Sequence, residues 1–233
     1  MSDSGQTAAA IRRNQAFYDR WRLAYELFTR RIAPLRQSRR AAAAALGITD
    51  GTDVLECGCG PGPNMPFVLD RMAGYQECSY LGMDIAPKAL GRARRLAKKR
   101  EWREVSLMVG DATDPPIYRP VDAILSTFVV TIFPDPATVV RTWMDHLKPG
   151  GRLVLLNTHP SPDQLGTVLN PAFNAFVILA NPISPKQALA ENPPWELLSE
   201  RVNAAESAMQ STGSRFYRRT YYGGLVSLAV AER

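Results

Sequence analysis

One short segment, a hydrophobic strand that leads into a glycine-rich turn, restricts the fold of this chain more than any other. It reads Val54-Leu55-Glu56-Cys57-Gly58-Cys59-Gly60-Pro61-Gly62, so an acid lies near the strand end and three glycines follow at alternate positions. Glycine is required where the backbone turns sharply or lies directly against a ligand, because a Cβ would collide there. In open α/β sheets such a turn lies at the carboxyl edge of the strands, where ligands bind. The segment therefore predicts a ligand-binding turn, although tight packing between strand and helix would also favour glycine.

The chain after residue 53 alternates between strand-like and helix-like patterns. Five apolar strands are predicted: Val54–Cys57, Ser79–Met83, Val105–Val109, Val121–Ser126 and Arg152–Asn157. Helices are predicted between them, most clearly over Pro87–Arg100 and Pro136–Leu147, and two strands about Gly223-Gly224 predict a terminal hairpin. Strands that alternate with helices form parallel βαβ units. The predicted fold is α/β: a doubly wound, mostly parallel, seven-stranded sheet with a C-terminal antiparallel hairpin and an N-terminal helical arm.

Two more strands end in carboxylates at the same predicted edge. Asp84 closes the second strand and Asp111 follows the third, within Gly110-Asp111-Ala112. An acid at the end of the second strand bonds ribose hydroxyls in nucleotide-binding sheets. The glycine spacing argues against a nicotinamide cofactor, because that fold uses G-x-G-x-x-G to seat a diphosphate at a helix N-terminus. Here the third glycine comes one residue earlier.

With these motifs, the region from Asp53 to Asn157 and the terminal hairpin resemble the class I S-adenosylmethionine-dependent methyltransferases. The resemblance implies S-adenosylmethionine as cofactor and in-line transfer of its methyl group. It also implies that the glycine-rich turn wraps the methionine end of the cofactor, that Asp84 bonds the ribose with Ile85 beside the adenine, and that Asp111 lies at the adenine amino group. The predicted cofactor-binding residues are Glu56, Gly58, Gly60, Gly62, Asn64, Asp84, Ile85, Asp111, Ala112 and Ser126.

The net charge of +6 lies entirely in the first 40 residues, which hold nine arginines and three acids. A helix is predicted over Ile11–Ile32, ended by Pro34, and a second helix over Leu35–Leu46. Arginines interleaved with an aromatic stripe are typical of a helix that lies at a membrane surface. We therefore assign residues 1–46 to a helical arm or cap. Residues 47–233 form the predicted methyltransferase domain, with a proline-rich segment at about 160–200 that is either a cap insertion or an irregular surface loop.

The sequence leaves the methyl acceptor open between two classes. The first is a small molecule or a lipid headgroup, methylated on nitrogen or oxygen. In this case the arm would lie on an anionic membrane. The arm is loosely similar to that of bacterial phospholipid N-methyltransferases and quinone methyltransferases. The second is RNA, which is disfavoured because the [DN]-P-P-aromatic signature does not follow strand four. A non-catalytic S-adenosylmethionine-binding protein is a further alternative. A polar N-terminus without an export leader and only three cysteines favour the cytoplasm, with the inner membrane surface as a peripheral location.

Candidate catalytic and acceptor-binding residues are few. His159 follows the fifth strand, where a neutral imidazole can accept the proton of an acceptor; the alternative, a loop histidine without a role, is the more common case. Tyr18 and Tyr25 on the arm would line the acceptor site if that helix lies over the cofactor, or would pack in a core. No metal site is predicted, because no second Cys/His pair completes the ligand set begun by Cys57 and Cys59.

Overall fold

The computed structural model describes residues 33–180 and 193–233. The predicted helix Ile11–Ile32, with Tyr18 and Tyr25, lies outside these residues. The described helices are α1 (Ala33–Ala45), α2 (Met65–Met72), α3 (Pro87–Lys99), α4 (Pro136–Asp145), α5 (Gly166–Ala180) and α6 (Pro194–Thr212). The strands are β1 (Asp53–Cys57), β2 (Ser79–Asp84), β3 (Val105–Val109), β4 (Val121–Thr127), β5 (Leu147–Thr158), β6 (Arg215–Tyr221) and β7 (Val226–Glu232).

The strands form one seven-stranded sheet in the order β3-β2-β1-β4-β5-β7-β6. The pairs β3-β2, β2-β1, β1-β4 and β4-β5 are parallel, whereas β7 runs antiparallel to both β5 and β6. The chain order reverses between β1 and β4, and ligands bind at such a switch point in open α/β sheets. The predicted sheet and its terminal hairpin are confirmed.

Helices cover both faces of this sheet. On one face, α1, α2 and α3 bury residues such as Ala42, Met65 and Ala93 against the strands. On the other face, α4 and α6 bury Trp143 and Met209. Burial of large apolar side chains on both faces, at about 25 cal/mol per Å² of apolar surface removed from water, is the main driving force for this architecture. Leu90, Ala93 and Ala97 form the inner face of α3 and are all buried.

The largest difference from the predicted strand bounds is at β5. The strand β5 begins at Leu147, five residues earlier than expected, because Leu147 already pairs with Val121 before a register shift in β4. The helix α1 is described over Ala33–Ala45, where the sequence predicts a helix over Leu35–Leu46. Leu35 and Ala42 of α1 are buried in the same core as the residues after position 47.

Candidate active site at the carboxyl edge of the sheet

The glycine-rich turn is anchored to the end of β2. The N–H groups of Gly58 and Cys59 both donate to the carbonyl oxygen of Met83, at 2.9 Å each. Gly58, Gly60 and Gly62 have φ angles of +76°, +53° and +79°, in the left-handed region that favours glycine. The predicted need for glycine at these positions is therefore visible in the backbone itself.

The three glycines differ in what surrounds them. A Cβ on Gly58 would lie 2.5 Å from a methyl group of Val129, and one on Gly62 would overlap the sulfur of Met65. A Cβ on Gly60 would meet only the carboxylate of Asp84, at 3.9 Å. Gly58 and Gly62 are thus required by packing, whereas Gly60 borders open space beside an acid.

Asp84 holds the far side of that space. Its Oδ2 accepts a hydrogen bond from the Gly60 N–H and its Oδ1 accepts one from the Ala86 N–H, both at 2.8 Å. Burial raises the pKa of Asp84, and these two hydrogen bonds act in the opposite direction. Ile85 follows with 36% of its surface exposed at the same edge. The end of β2 therefore presents a carboxylate and an apolar side chain beside the turn, which is the arrangement predicted for the ribose and adenine.

A buried polar network lies beneath the turn, centred on Glu56. The Glu56 carboxylate is fully buried and accepts hydrogen bonds from the Tyr80 hydroxyl at 2.5 Å and from Asn64 Nδ2 at 2.7 Å. Burial is the largest influence on this acid and raises its pKa to about 7. Asn64 also donates to the Thr127 hydroxyl at 2.9 Å. The network joins the end of β1 to β2, to the start of α2 and to the end of β4.

Arg39 of α1 completes this network. Its Nη1 donates to Asn64 Oδ1 at 2.5 Å and to Thr127 Oγ1 at 3.2 Å, and its guanidinium lies 5.0 Å from the centroid of the Phe128 ring. Arg39 is buried, and its charge lowers the pKa of Glu56 against the effect of burial. A buried charge is tolerated when it is paired and hydrogen-bonded. Arg39, Tyr80 and Thr127 were missed from the sequence, since no local motif marks them.

The remaining predicted cofactor residues lie at the same edge, and each makes at least one hydrogen bond. Asp111 Oδ1 accepts from the N–H and the hydroxyl of Thr113, at 2.9 and 2.8 Å. The carbonyl of Ala112 accepts from the Trp143 indole at 2.6 Å. Ser126 is buried and donates to the carbonyl of Cys57 at 3.0 Å, so its hydroxyl joins β4 to β1. The Ser126 bond fixes the end of β4 to the end of β1, and the Trp143 bond holds the segment after β3 against α4.

His159 lies just beyond β5 and is buried. Arg218 Nη2 lies 2.9 Å from His159 Nε2, and a guanidinium can only donate, so Nε2 is the acceptor. Nδ1 therefore carries the proton and donates to the Pro160 carbonyl at 2.7 Å. Burial, reinforced by the charge of Arg218, lowers the pKa of His159. The imidazole is thus neutral near pH 7, as a general base requires, but Arg218 occupies the nitrogen that would accept a proton.

Cys57 and Cys59 are buried thiols, and burial raises the pKa of both. Among residues 33–180 and 193–233, no cluster of three or more His, Cys, Asp or Glu side chains has a metal-binding arrangement. The two cysteines fill the space under the turn.

The arrangement fits S-adenosylmethionine. The open space at Gly60 leaves room for a ligand against the backbone, and the Asp84 carboxylate borders that space. A sheet in the order β3-β2-β1-β4-β5-β7-β6, with a glycine turn after β1 and an acid after β2, defines the class I methyltransferases that use this cofactor.

Comparison with known proteins gives the same result. The family model described as "Methyltransferase domain" matches residues 54–151. An aklanonic acid methyltransferase from Streptomyces sp. (strain C5) is 32% identical over 216 residues, which span 88% of this chain and 87% of that protein. A demethylmenaquinone methyltransferase from Tropheryma whipplei (strain Twist) is 29% identical over 168 residues, covering 70% of this chain and 64% of its own. The chain therefore belongs to the class I S-adenosylmethionine-dependent methyltransferases.

Solved structures agree with the fold. The N-methyltransferase NodS from Bradyrhizobium japonicum, in complex with S-adenosyl-L-homocysteine, superposes with a TM-score of 0.58 at 15% identity, over 88% of this chain and 90% of that one. At this identity the superposition shows a shared fold. Within the described residues, the structure contains no helix with the length and apolar character needed to cross a membrane.

Proposed function

We propose that this enzyme methylates a small organic acceptor, on an oxygen or a nitrogen atom, bound over the carboxyl ends of β4 and β5. The observation that carries the proposal is the extent of the match with the aklanonic acid methyltransferase. It spans 88% of the chain, so it includes residues well beyond the cofactor-binding half. The RNA and non-catalytic alternatives are not favoured, because the chain matches small-molecule methyltransferases over most of its length.

Catalysis in this proposal depends on positioning. S-adenosylmethionine, when bound, supplies an activated methyl group on a sulfonium. Gly60 and Asp84 hold the cofactor, while the network of Glu56, Asn64 and Arg39 keeps the turn in place beneath it. Alignment of two reactants can lower a barrier by about 7–11 kcal/mol, so in-line transfer does not require a strong base. For His159 to act as a base, Arg218 would first have to leave its Nε2.

The test is a methyl-transfer assay with labelled cofactor and a panel of phenols, carboxylic acids, amines and phospholipid headgroups. We expect transfer to at least one soluble small molecule, and we expect a His159→Gln variant to keep most of the rate if positioning dominates. Cofactor binding without transfer to any acceptor would refute the enzymatic proposal. Transfer confined to phospholipids would replace the small-molecule acceptor with a lipid headgroup.

The basic arm carries a second proposal, that residues 1–40 attach the enzyme to an anionic membrane. Its support is the charge distribution, because these residues contain the whole net charge of +6. Basic side chains near an anionic leaflet contribute about 1 kcal/mol each, and salt screens them.

The membrane proposal can be tested by sedimentation with anionic vesicles. A protein that begins at residue 34 retains Arg39 and is expected to bind cofactor as the full chain does but to lose most vesicle binding. A matched control replaces Lys98, Lys99 and Arg100 with glutamine, which removes three positive charges elsewhere. Equal vesicle binding by the full and shortened chains would refute the membrane role. Loss of cofactor affinity on shortening would instead indicate that the arm covers the cofactor.

A further inference from the structure

Five polar side chains gather near the carboxyl edge of the sheet, on the face covered by α6. They come from four parts of the chain: the end of β5, β6, β7 and α6. The members are Asn157, His159, Glu206, Arg218 and Ser227. Asn157 lies directly opposite Ser227 in the antiparallel ladder between β5 and β7, which places their side chains next to each other on one face. We call this group the edge cluster.

The guanidinium of Arg218 is held on two sides within the edge cluster. Its Nε lies 3.1 Å from Glu206 Oε2 in an ion pair, and its Nη2 donates to His159 Nε2 at 2.9 Å. A guanidinium has five N–H donors in a rigid planar fork, of which these two bonds use two. The Arg218 side chain is 32% exposed, so its head is fixed in direction and still reachable. Such a group is suited to bind an ionised oxygen acid through paired hydrogen bonds.

On the same face of the sheet as Arg218, three buried polar atoms have no hydrogen-bond partner among the described residues. They are Asn157 Nδ2, Ser227 Oγ and Glu206 Oε1. These residues are 1%, 0% and 7% exposed, so all three atoms belong to deeply buried side chains. A buried polar atom left without a partner costs about 1–3 kcal/mol. The set offers a donor, a hydroxyl and an acceptor, which together match a ligand that carries both an oxygen anion and a hydroxyl.

The distance from the edge cluster to the cofactor turn suits a small acceptor. The turn follows β1, and β4 alone separates β1 from β5, at whose end His159 lies. Adjacent strands are spaced by about 4.8 Å, so two spacings amount to about 10 Å. Arg218 lies on β6, beyond β7, and its guanidinium reaches the end of β5 through the bond to His159 Nε2.

We infer that the edge cluster binds an acidic oxygen group of the methyl acceptor and thereby determines acceptor specificity. Arg218 binds the anionic oxygen, Asn157 and Ser227 add hydrogen bonds, and Glu206 is a positioning residue that fixes the guanidinium. The acceptor class is a small hydroxylated organic acid, such as an aromatic acid with a neighbouring hydroxyl. This inference rests on the proposed methylation of a small organic acceptor.

The test compares salicylate with its neutral amide, salicylamide, as binding probes for the full-length enzyme saturated with S-adenosylhomocysteine. By calorimetry, we expect the unaltered enzyme to bind salicylate about tenfold more tightly than salicylamide. In Arg218→Gln this preference should disappear, and in Arg218→Lys, which keeps the charge but not the fork, it should fall to an intermediate value. Glu206→Gln should reduce the preference as well, since the guanidinium loses its ion pair.

The matched control is Arg219→Gln. Arg219 is the next residue of β6, points to the opposite face and lies over the Tyr217 ring, so its loss should leave the preference unchanged. Unchanged binding of S-adenosylhomocysteine shows that each variant is folded. Equal affinity for both probes in the unaltered enzyme, no salicylate binding at millimolar concentration, or an unchanged preference in Arg218→Gln would each overturn the inference.

Methyl-transfer assays separate this inference from the proposed function. Transfer to neutral acceptors at rates that Arg218→Gln does not alter would leave the methylation of small molecules standing and remove the acid site. Arg218-dependent binding of salicylate without methyl transfer to any acceptor would leave the acid site standing and refute the proposed methylation.

Discussion

Glu56 is the residue whose chemistry depends most on the folded structure. Its carboxylate is fully buried, accepts two hydrogen bonds, and has a pKa of about 7 instead of its ordinary 4.5. The folded state therefore retains a proton on Glu56 over a pH range in which the unfolded chain has lost it. By linkage, the free energy of unfolding should fall as pH rises from about 4.5 through about 7 and then level off.

The size of this effect follows from the shift. Each unit of pKa difference corresponds to about 1.4 kcal/mol, so the interval from 4.5 to about 7 corresponds to about 3 kcal/mol. In a Glu56→Gln variant the side chain at position 56 cannot titrate, so this pH-dependent decrease in the free energy of unfolding is absent. We expect the unaltered protein to lose about 2–3 kcal/mol relative to Glu56→Gln between pH 5 and pH 8.

The measurement is urea-induced unfolding at half-unit steps of pH, followed by circular dichroism. The comparison uses slopes against pH, so a constant destabilisation of Glu56→Gln, from an amide placed between Tyr80 and Asn64, does not affect it. Glu200→Gln, at an exposed position on α6, is the control and should follow the unaltered protein. Parallel curves for the unaltered protein and Glu56→Gln would refute the reasoning, because they would mean that Glu56 titrates alike in the folded and unfolded states.

Three further substitutions test the cofactor site. Asp84→Ala should weaken S-adenosylmethionine binding by about 1.5–3 kcal/mol in calorimetry, the range for hydrogen bonds to a charged group, and unchanged affinity would remove Asp84 from the site. Gly60→Val should abolish that binding because the valine side chain enters the open space beside Asp84. The positive φ at this position adds a folding cost of about 1–3 kcal/mol. Tight cofactor binding by this variant would place the cofactor elsewhere. Arg39→Met should lower the free energy of unfolding by about 1.5–3 kcal/mol and also reduce cofactor affinity, since Asn64 and Thr127 lose their charged partner. A stability loss without any loss of affinity would show that the Arg39 network does not support the turn.

Local patterns in the sequence are sufficient to predict the sheet and the edge proposed for the cofactor. Alternating apolar runs and helical periods are local patterns, and the positions of Gly58, Gly60 and Asp84 in them identify the ends of β1 and β2. Glycine at positive φ and an acid at a strand end are requirements of the backbone within a few residues. Such requirements can be predicted without knowledge of what packs against them.

Only the tertiary structure decided which side chains meet. Tyr80 and Arg39 reach Glu56 and Asn64 because the register of β2 and the packing of α1 bring them there, and neither residue carries a local signal. The sequence offers His159 either as a neutral imidazole that accepts a proton or as a loop histidine without a role. The structure adds Arg218 from β6, 59 residues away, which is itself paired with Glu206. Contacts between elements so far apart depend on strand order and helix placement. Local spacing in a sequence contains neither, so the hydrogen bond between Arg218 and His159 can be found only in the folded chain.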